Sequence, residues 1–225
     1  MLQEISDSGR GKPTLVLRER GAYAEYILSL QQTFGPERRI VLLETERVTN
    51  QNLDTLLSEF EKYYSSKSFR QVSLIGFGRC SSLCERFIFA GLARCRTLCL
   101  VDGVTKPSPG FRERVFEKLE QSLPLGLPFR APKAKFYATS LLQRLRCPTL
   151  VVVTPGASQY EVEESRVLLH RLPIAWGELL GATVDFEAFA RRVVDFQQVP
   201  AKRPQKNART QAQSADKQAA ASSHG

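Results

Sequence analysis

The chain has 225 residues, of which 42% are hydrophobic and 24% charged, a balance suited to one buried core in a single globular domain. No apolar run approaches the ~18 to 20 residues of a membrane span, and the opening MLQEISDSGRGKP lacks the basic-then-apolar order of an export signal, so the cytoplasm is the expected compartment. The formal net charge is +9; residues 200–225 carry Lys202, Arg203, Lys206, Arg209 and Lys217 against Asp216 alone, a net +4 that leaves +5 for the rest.

The first strand candidate is Thr14 to Arg18 (TLVLR), followed by a helix over about Tyr23 to Gln32. A second apolar run, Arg39 to Glu44 (RIVLLE), precedes Leu53, Leu56, Leu57, Phe60 and Tyr64, whose i, i+3, i+4, i+7 spacing predicts an amphipathic helix with Asn52 as its N-cap. Val72 to Gly76 (VSLIG) is the third strand, Ser81 to Ala93 the next helix, and Thr97 to Asp102 (TLCLVD) the fourth strand. The next forty or so residues break this rhythm. Residues 103–146 hold Pro107, Pro109, Pro124, Pro128 and Pro132 and two helical stretches, Phe111 to Gln121 and Lys135 to Arg146, and read as a lid-like insertion.

Thr149 to Thr154 (TLVVVT) resumes the pattern, followed by a helix over Gln159 to His170, a weaker sixth run at Ile174 to Leu180 and a last helix over Phe186 to Phe196. Short continuous apolar runs suit strands buried on both faces. Their alternation with helices predicts an α/β fold: a doubly wound, mostly parallel sheet of about six strands with helices on both faces. One domain is therefore expected over residues 1–199. The segment from Pro200 to Gly225 has no Leu, Ile, Val, Phe, Tyr or Trp, so it is expected to be a disordered basic tail.

The run Val72 to Leu83, VSLIGFGRCSSL, resembles the nucleophile elbow of the α/β-hydrolase family, an apolar strand followed by G-x-S-x-G, which here reads Gly76-Phe77-Gly78-Arg79-Cys80. TLCLVDG (97–103) is similar to the family strand after the elbow helix, CPTLVVVT (147–154) to the strand after the lid, and FEAFARRVVDFQ (186–197) to the closing helix. LVLRERG resembles the first strand and oxyanion loop, and RRIVLLETER the strand after it. The resemblance implies a Ser-His-Asp machinery, and position by position its residues are absent. The apex is Gly78, the acid position falls in TPGASQ (154–159), which has no carboxylate, and the histidine position falls near Leu180 to Thr183, which has no histidine. The two histidines are His170 and His224. The resemblance thus implies a pseudo-hydrolase that serves as a binding, scaffold or assembly module, its contact surfaces being the insertion and the rim near Gly78.

Other readings use the same residues. Shifting the elbow by two places puts Cys80 at the apex, beside Arg79 and a helix N-terminus that favour a thiolate. Cys80 or Ser81, assisted by Asp102, would then make an atypical esterase, thioesterase or acyltransferase. Cys80, Cys84, Cys95 and Cys99 raise the question of zinc, but their C-x3-C spacing departs from the usual knuckle and Cys99 lies inside an apolar strand, so neither a metal nor a cofactor is expected. With Cys147 they make five cysteines, read as reduced thiols. Arg18, Arg20, Gly21, Phe77, Gly78 and Arg79 outline a pocket at the carboxyl edge of the sheet, friendly to anions. The partners implied are a protein or a small anionic ligand, with a weak nucleic-acid contact through the tail as a further electrostatic reading.

Overall fold

The structure is a computed structural model that describes residues 1–91, 94–106, 138–181 and 185–198. In chain order the elements are β1 (Leu2–Ser8), β2 (Thr14–Glu19), α1 (Ala24–Phe34), β3 (Ile40–Thr45), α2 (Leu53–Ser66), β4 (Val72–Phe77), α3 (Cys80–Phe89), β5 (Cys95–Val101), β6 (Thr149–Val153), α4 (Gln159–Arg171), β7 (Ala175–Leu179) and α5 (Phe186–Gln198). The strands form one sheet in the order β1-β3-β2-β4-β5-β6-β7. Every neighbouring pair is parallel except β1 with β3.

Each central strand is apolar throughout because each of its faces meets a helical layer. Leu15, Leu17, Leu43, Leu74 and Leu100 point to one side, where Phe60 of α2, Phe87 of α3 and Leu168 of α4 pack. The alternate residues Val16, Leu42, Ile75, Cys99 and Val152 point to the other, against Leu30 of α1 and Phe189 and Val193 of α5. This is the doubly wound α/β arrangement expected from the runs. The rings of Phe60 and Phe87, fully buried, lie 4.2 Å apart between α2 and α3.

Several expectations need revision. The sheet has seven strands instead of about six, because β1 carries few apolar residues: Leu2 and Ile5 are its only ones, and Ile5 is 46% exposed. It is an outer strand held by one neighbour, so period and hydrophobicity do not mark it. Asn52 stands at the N-cap position of α2 without capping it; its side chain turns back, Oδ1 accepting from the Thr49 amide at 2.8 Å and Nδ2 donating to the Arg47 carbonyl. The stretch expected as a helix up to Arg146 contains two short 3-10 turns, Ala138–Ser140 and Leu142–Arg144, among its described residues. The helical stretch at 111–121, the prolines from 107 to 132 and the tail 200–225 lie outside the described residues.

Candidate functional site

β2 and β4 lie side by side, yet the crossover from β2 leads to β3 on one side and that from β3 leads back to β4 on the other. Chains leaving the carboxyl ends of β2 and β4 therefore diverge, and this divergence is where doubly wound sheets open a crevice. Gly78 follows β4 directly at that edge. Its φ is +54°, a left-handed backbone that glycine reaches without Cβ strain. The Gly78 amide donates to the Val101 carbonyl at 2.8 Å, and its carbonyl accepts from the Ser81 amide at 3.1 Å, closing a strand-turn-helix. Gly76, two residues earlier, serves the packing of α3. A Cβ there would stand 2.9 Å from the Ser81 Cα and 3.0 Å from the Cys84 Sγ, so its bare backbone lets α3 press onto β4.

The space above Gly78 is taken by Tyr23. A Cβ built on Gly78 would meet the Tyr23 hydroxyl at 3.4 Å and its ring at 3.5 Å. Tyr23 precedes α1 with a left-handed backbone (φ 55°, ψ 33°), an uncommon conformation for a bulky residue. Its ring packs on Phe77, with centroids 5.0 Å apart, and its hydroxyl donates to Asp102 Oδ2 at 3.0 Å.

Asp102 also has positive φ, 50°, and is buried at the end of β5. It accepts from the Thr154 amide at 2.7 Å and the Thr154 hydroxyl at 2.6 Å. Burial pushes the Asp102 carboxyl above its ordinary range, although the bonds from Thr154 and Tyr23 pull the other way. Burial first, and then the nearby Asp102 charge, push the Tyr23 phenol up, so it remains a donor. The carboxylate thus has three donors and holds a tyrosine across the apex of the turn.

The other candidates have the following places. Cys80 is fully buried, and desolvation pushes its thiol well up. Ser81 is buried as well; its hydroxyl accepts from the Val104 amide at 2.8 Å and reaches the Gly78 carbonyl at 2.6 Å, tying the turn to the chain after β5. Arg18 pairs with Glu44 at 2.5 Å and donates to the Ala22 carbonyl, and Arg79 pairs with Glu19 at 3.4 Å. Phe77 is buried in an aromatic group with Tyr23 and Tyr26. Arg20 and Gly21 are exposed on the rim. The structure therefore brings Gly78, Phe77 and Asp102 together and matches the charges of Arg18 and Arg79 internally.

Tyr23 and Thr154 are the members that the sequence pattern does not single out. Their signal is position: Tyr23 follows the segment that resembles the oxyanion loop, and Thr154 opens the stretch that resembles the family's acid position. His170 lies exposed near the end of α4. Among the described residues, no three His, Cys, Asp or Glu side chains converge as a metal site.

No protein-family model matches the sequence, and no curated protein matches it. Solved structures do. An α/β hydrolase enzyme from a metagenome of lagoon sediments at Mar Chica, Morocco, superposes with a TM-score of 0.65 at 14% identity, covering 87% of this chain and 94% of that one. An esterase from Exiguobacterium antarcticum gives 0.64 at 13% identity (88% and 95% covered), and a thermophilic esterase from Thermogutta terrifontis 0.60 at 15% (88% and 91%). Identities this low carry the fold and not the chemistry. With its strands diverging beside Gly78, the glycine turn after β4 and helices on both faces of the sheet, this chain has the α/β-hydrolase fold.

Proposed function

We propose that this chain is a non-catalytic α/β-hydrolase-fold protein that acts as a binding, scaffold or assembly module. The observation that carries the reading is Tyr23 lodged over Gly78 and anchored on Asp102. A hydrolase needs a side-chain nucleophile at this turn and open space above it for the tetrahedral intermediate. Here the apex has no side chain and the volume beside it holds a phenol. The two hydroxyl or thiol groups next in the chain, Cys80 and Ser81, are buried, the first without room to ionise and the second engaged in backbone hydrogen bonds.

An esterase and thioesterase panel with p-nitrophenyl esters and acyl thioesters, run on the parent, Cys80→Ala and Ser81→Ala, tests this. The expected result is no turnover above the uncatalysed rate in any of the three. Turnover lost in either variant would establish the atypical hydrolase instead. The binding role itself is tested by native pull-down of the full chain, of residues 1–199 and of Arg20→Glu. The proposal expects a protein partner or a small anionic ligand whose capture is weakened by the rim substitution and survives removal of the tail.

A further inference from the structure

A concave site lies at the end of the sheet opposite Gly78, where β5 begins and the chain enters β6. It is a cavity of about 410 Å³ whose lining includes Phe89, Leu141, Arg144, Arg146, Cys95 and Cys147. Cys95 is the first residue of β5, and Cys147 lies two residues before β6. The two strands are parallel neighbours with Leu98 opposite Thr149, and the Leu98 amide donates to the Pro148 carbonyl at 2.9 Å. Between Cys95 and Leu98 the register of β5 against β4 shifts by one residue, a bulge that takes Cys95 out of simple alternation. Both cysteines pack on the α2-α3-α4 side of the sheet, where the Cys95 thiol donates to the Thr97 carbonyl at 3.2 Å. A disulfide requires two sulfurs on one face.

The other three cysteines differ. Cys80, Cys84 and Cys99 are fully or almost fully buried, Cys99 on the opposite face of the sheet. Cys95 is partly exposed, and Cys147, 8% exposed, lines the same cavity. Arg144 and Arg146, both exposed, stand at the same cavity. Guanidinium groups favour a thiolate beside them and attract carboxylates.

We propose that Cys95 and Cys147 form a dithiol site that is oxidised to an intramolecular disulfide by an anionic low-molecular-weight disulfide bound between Arg144 and Arg146. One thiolate attacks the small disulfide, forming a mixed disulfide and releasing one small thiolate. The second cysteine's sulfur attacks the protein-side sulfur of that bond and displaces the second small thiolate, the two protons leaving the protein thiols for the two products. Two protein thiols and one small disulfide thus become one protein disulfide and two small thiols. The neighbouring Cys147 thiol, together with burial, pushes the Cys95 thiol up, so Cys147 attacks first and Cys95 resolves the mixed disulfide. The bond would close a loop of roughly 50 residues, and cross-links of that span restrict the unfolded chain strongly.

The test uses reduced full-length protein treated with oxidised glutathione, followed by alkylation, intact mass and peptide mapping. The expected result is that two of the five thiols become unreactive, a Cys95–Cys147 linked peptide appears, dithiothreitol reverses it, and Tm rises by roughly 5 °C or more. Cys95→Ser should stop at a mixed disulfide on Cys147. Arg144→Ala with Arg146→Ala should slow oxidation by glutathione disulfide several-fold and leave oxidation by the neutral 2-hydroxyethyl disulfide unchanged. Five reactive thiols after treatment, a stable mixed disulfide in the parent, or a linked peptide involving another cysteine would overturn the site. Equal slowing with both disulfides would overturn the anionic ligand.

Discussion

At the scale of single residues, two groups bear demands unusual for their type. Gly78 holds a left-handed turn with a phenol 3.4 Å from where its Cβ would be. Gly78→Ser should therefore cost about 1 to 2 kcal/mol of stability in a urea titration, because an L side chain resists that backbone. It should also leave the ester panel silent, since the two histidines of the chain are His170 and His224. Glu85 of α3 is fully buried, and neither of its carboxylate oxygens has a hydrogen-bond partner. Desolvation, with Glu164 nearby, pushes this acid well above its ordinary 4.5. The folded state therefore holds a proton that the unfolded chain gives up, and stability falls as pH rises from the ordinary value toward the folded one. Glu85→Gln removes that titration. Its stability relative to the parent should rise with pH above about 5 and be flat below about 4. Urea titrations at pH 4, 5, 6 and 7 read this directly; a constant difference would show that Glu85 ionises normally in the fold.

At the scale of elements, helix starts and sheet edges departed most from expectation. The apolar stripe of α2 is visible in the spacing of Leu53, Leu56, Leu57, Phe60 and Tyr64, all of them buried. Its cap was not legible, because Asn52 has a competing set of partners in the preceding turn, and short polar side chains bond to whichever backbone groups the loop presents. The start of α4 has the stronger device. Ser158 and Glu161 form a reciprocal capping box, with the Ser158 amide donating to Glu161 at 2.7 Å. Ser158→Ala should cost about 1 kcal/mol, measured by thermal or urea unfolding, whereas Asn52→Ala should not show the loss of a helix cap. Strand β1 is not legible for a related reason: an outer strand needs only backbone pairing and a few apolar contacts, so its composition resembles a loop.

For the whole molecule, charge and topology act separately. The net charge of +9 bears on long-range association and not on the fold. The tail's net +4 gives a direct test of the electrostatic reading: residues 1–199 should elute from heparin at lower salt than the full chain, because fewer counterions are released on binding. Equal elution would place the basic contact on the folded part. The order of apolar runs and amphipathic helices was enough to lay out a doubly wound sheet, since strands buried on both faces leave a continuous hydrophobic record. The same record located Gly78 and Asp102 at the strand ends.

By itself, then, the sequence determined where the buried strands and helices lie, which residue stands at the turn after β4, and which titratable groups that turn lacks. These are local properties, written in composition and spacing. The tertiary structure alone decided what fills the space over Gly78. Tyr23 and Asp102 are 79 residues apart, and their contact depends on two left-handed backbones and on the β2-β4 pairing, none of which a periodic pattern records. Cys95 and Cys147 pose the same problem. Their separation along the chain gives no hint of pairing, and only the folded β5 and β6, with a bulge after Cys95, bring both to one cavity.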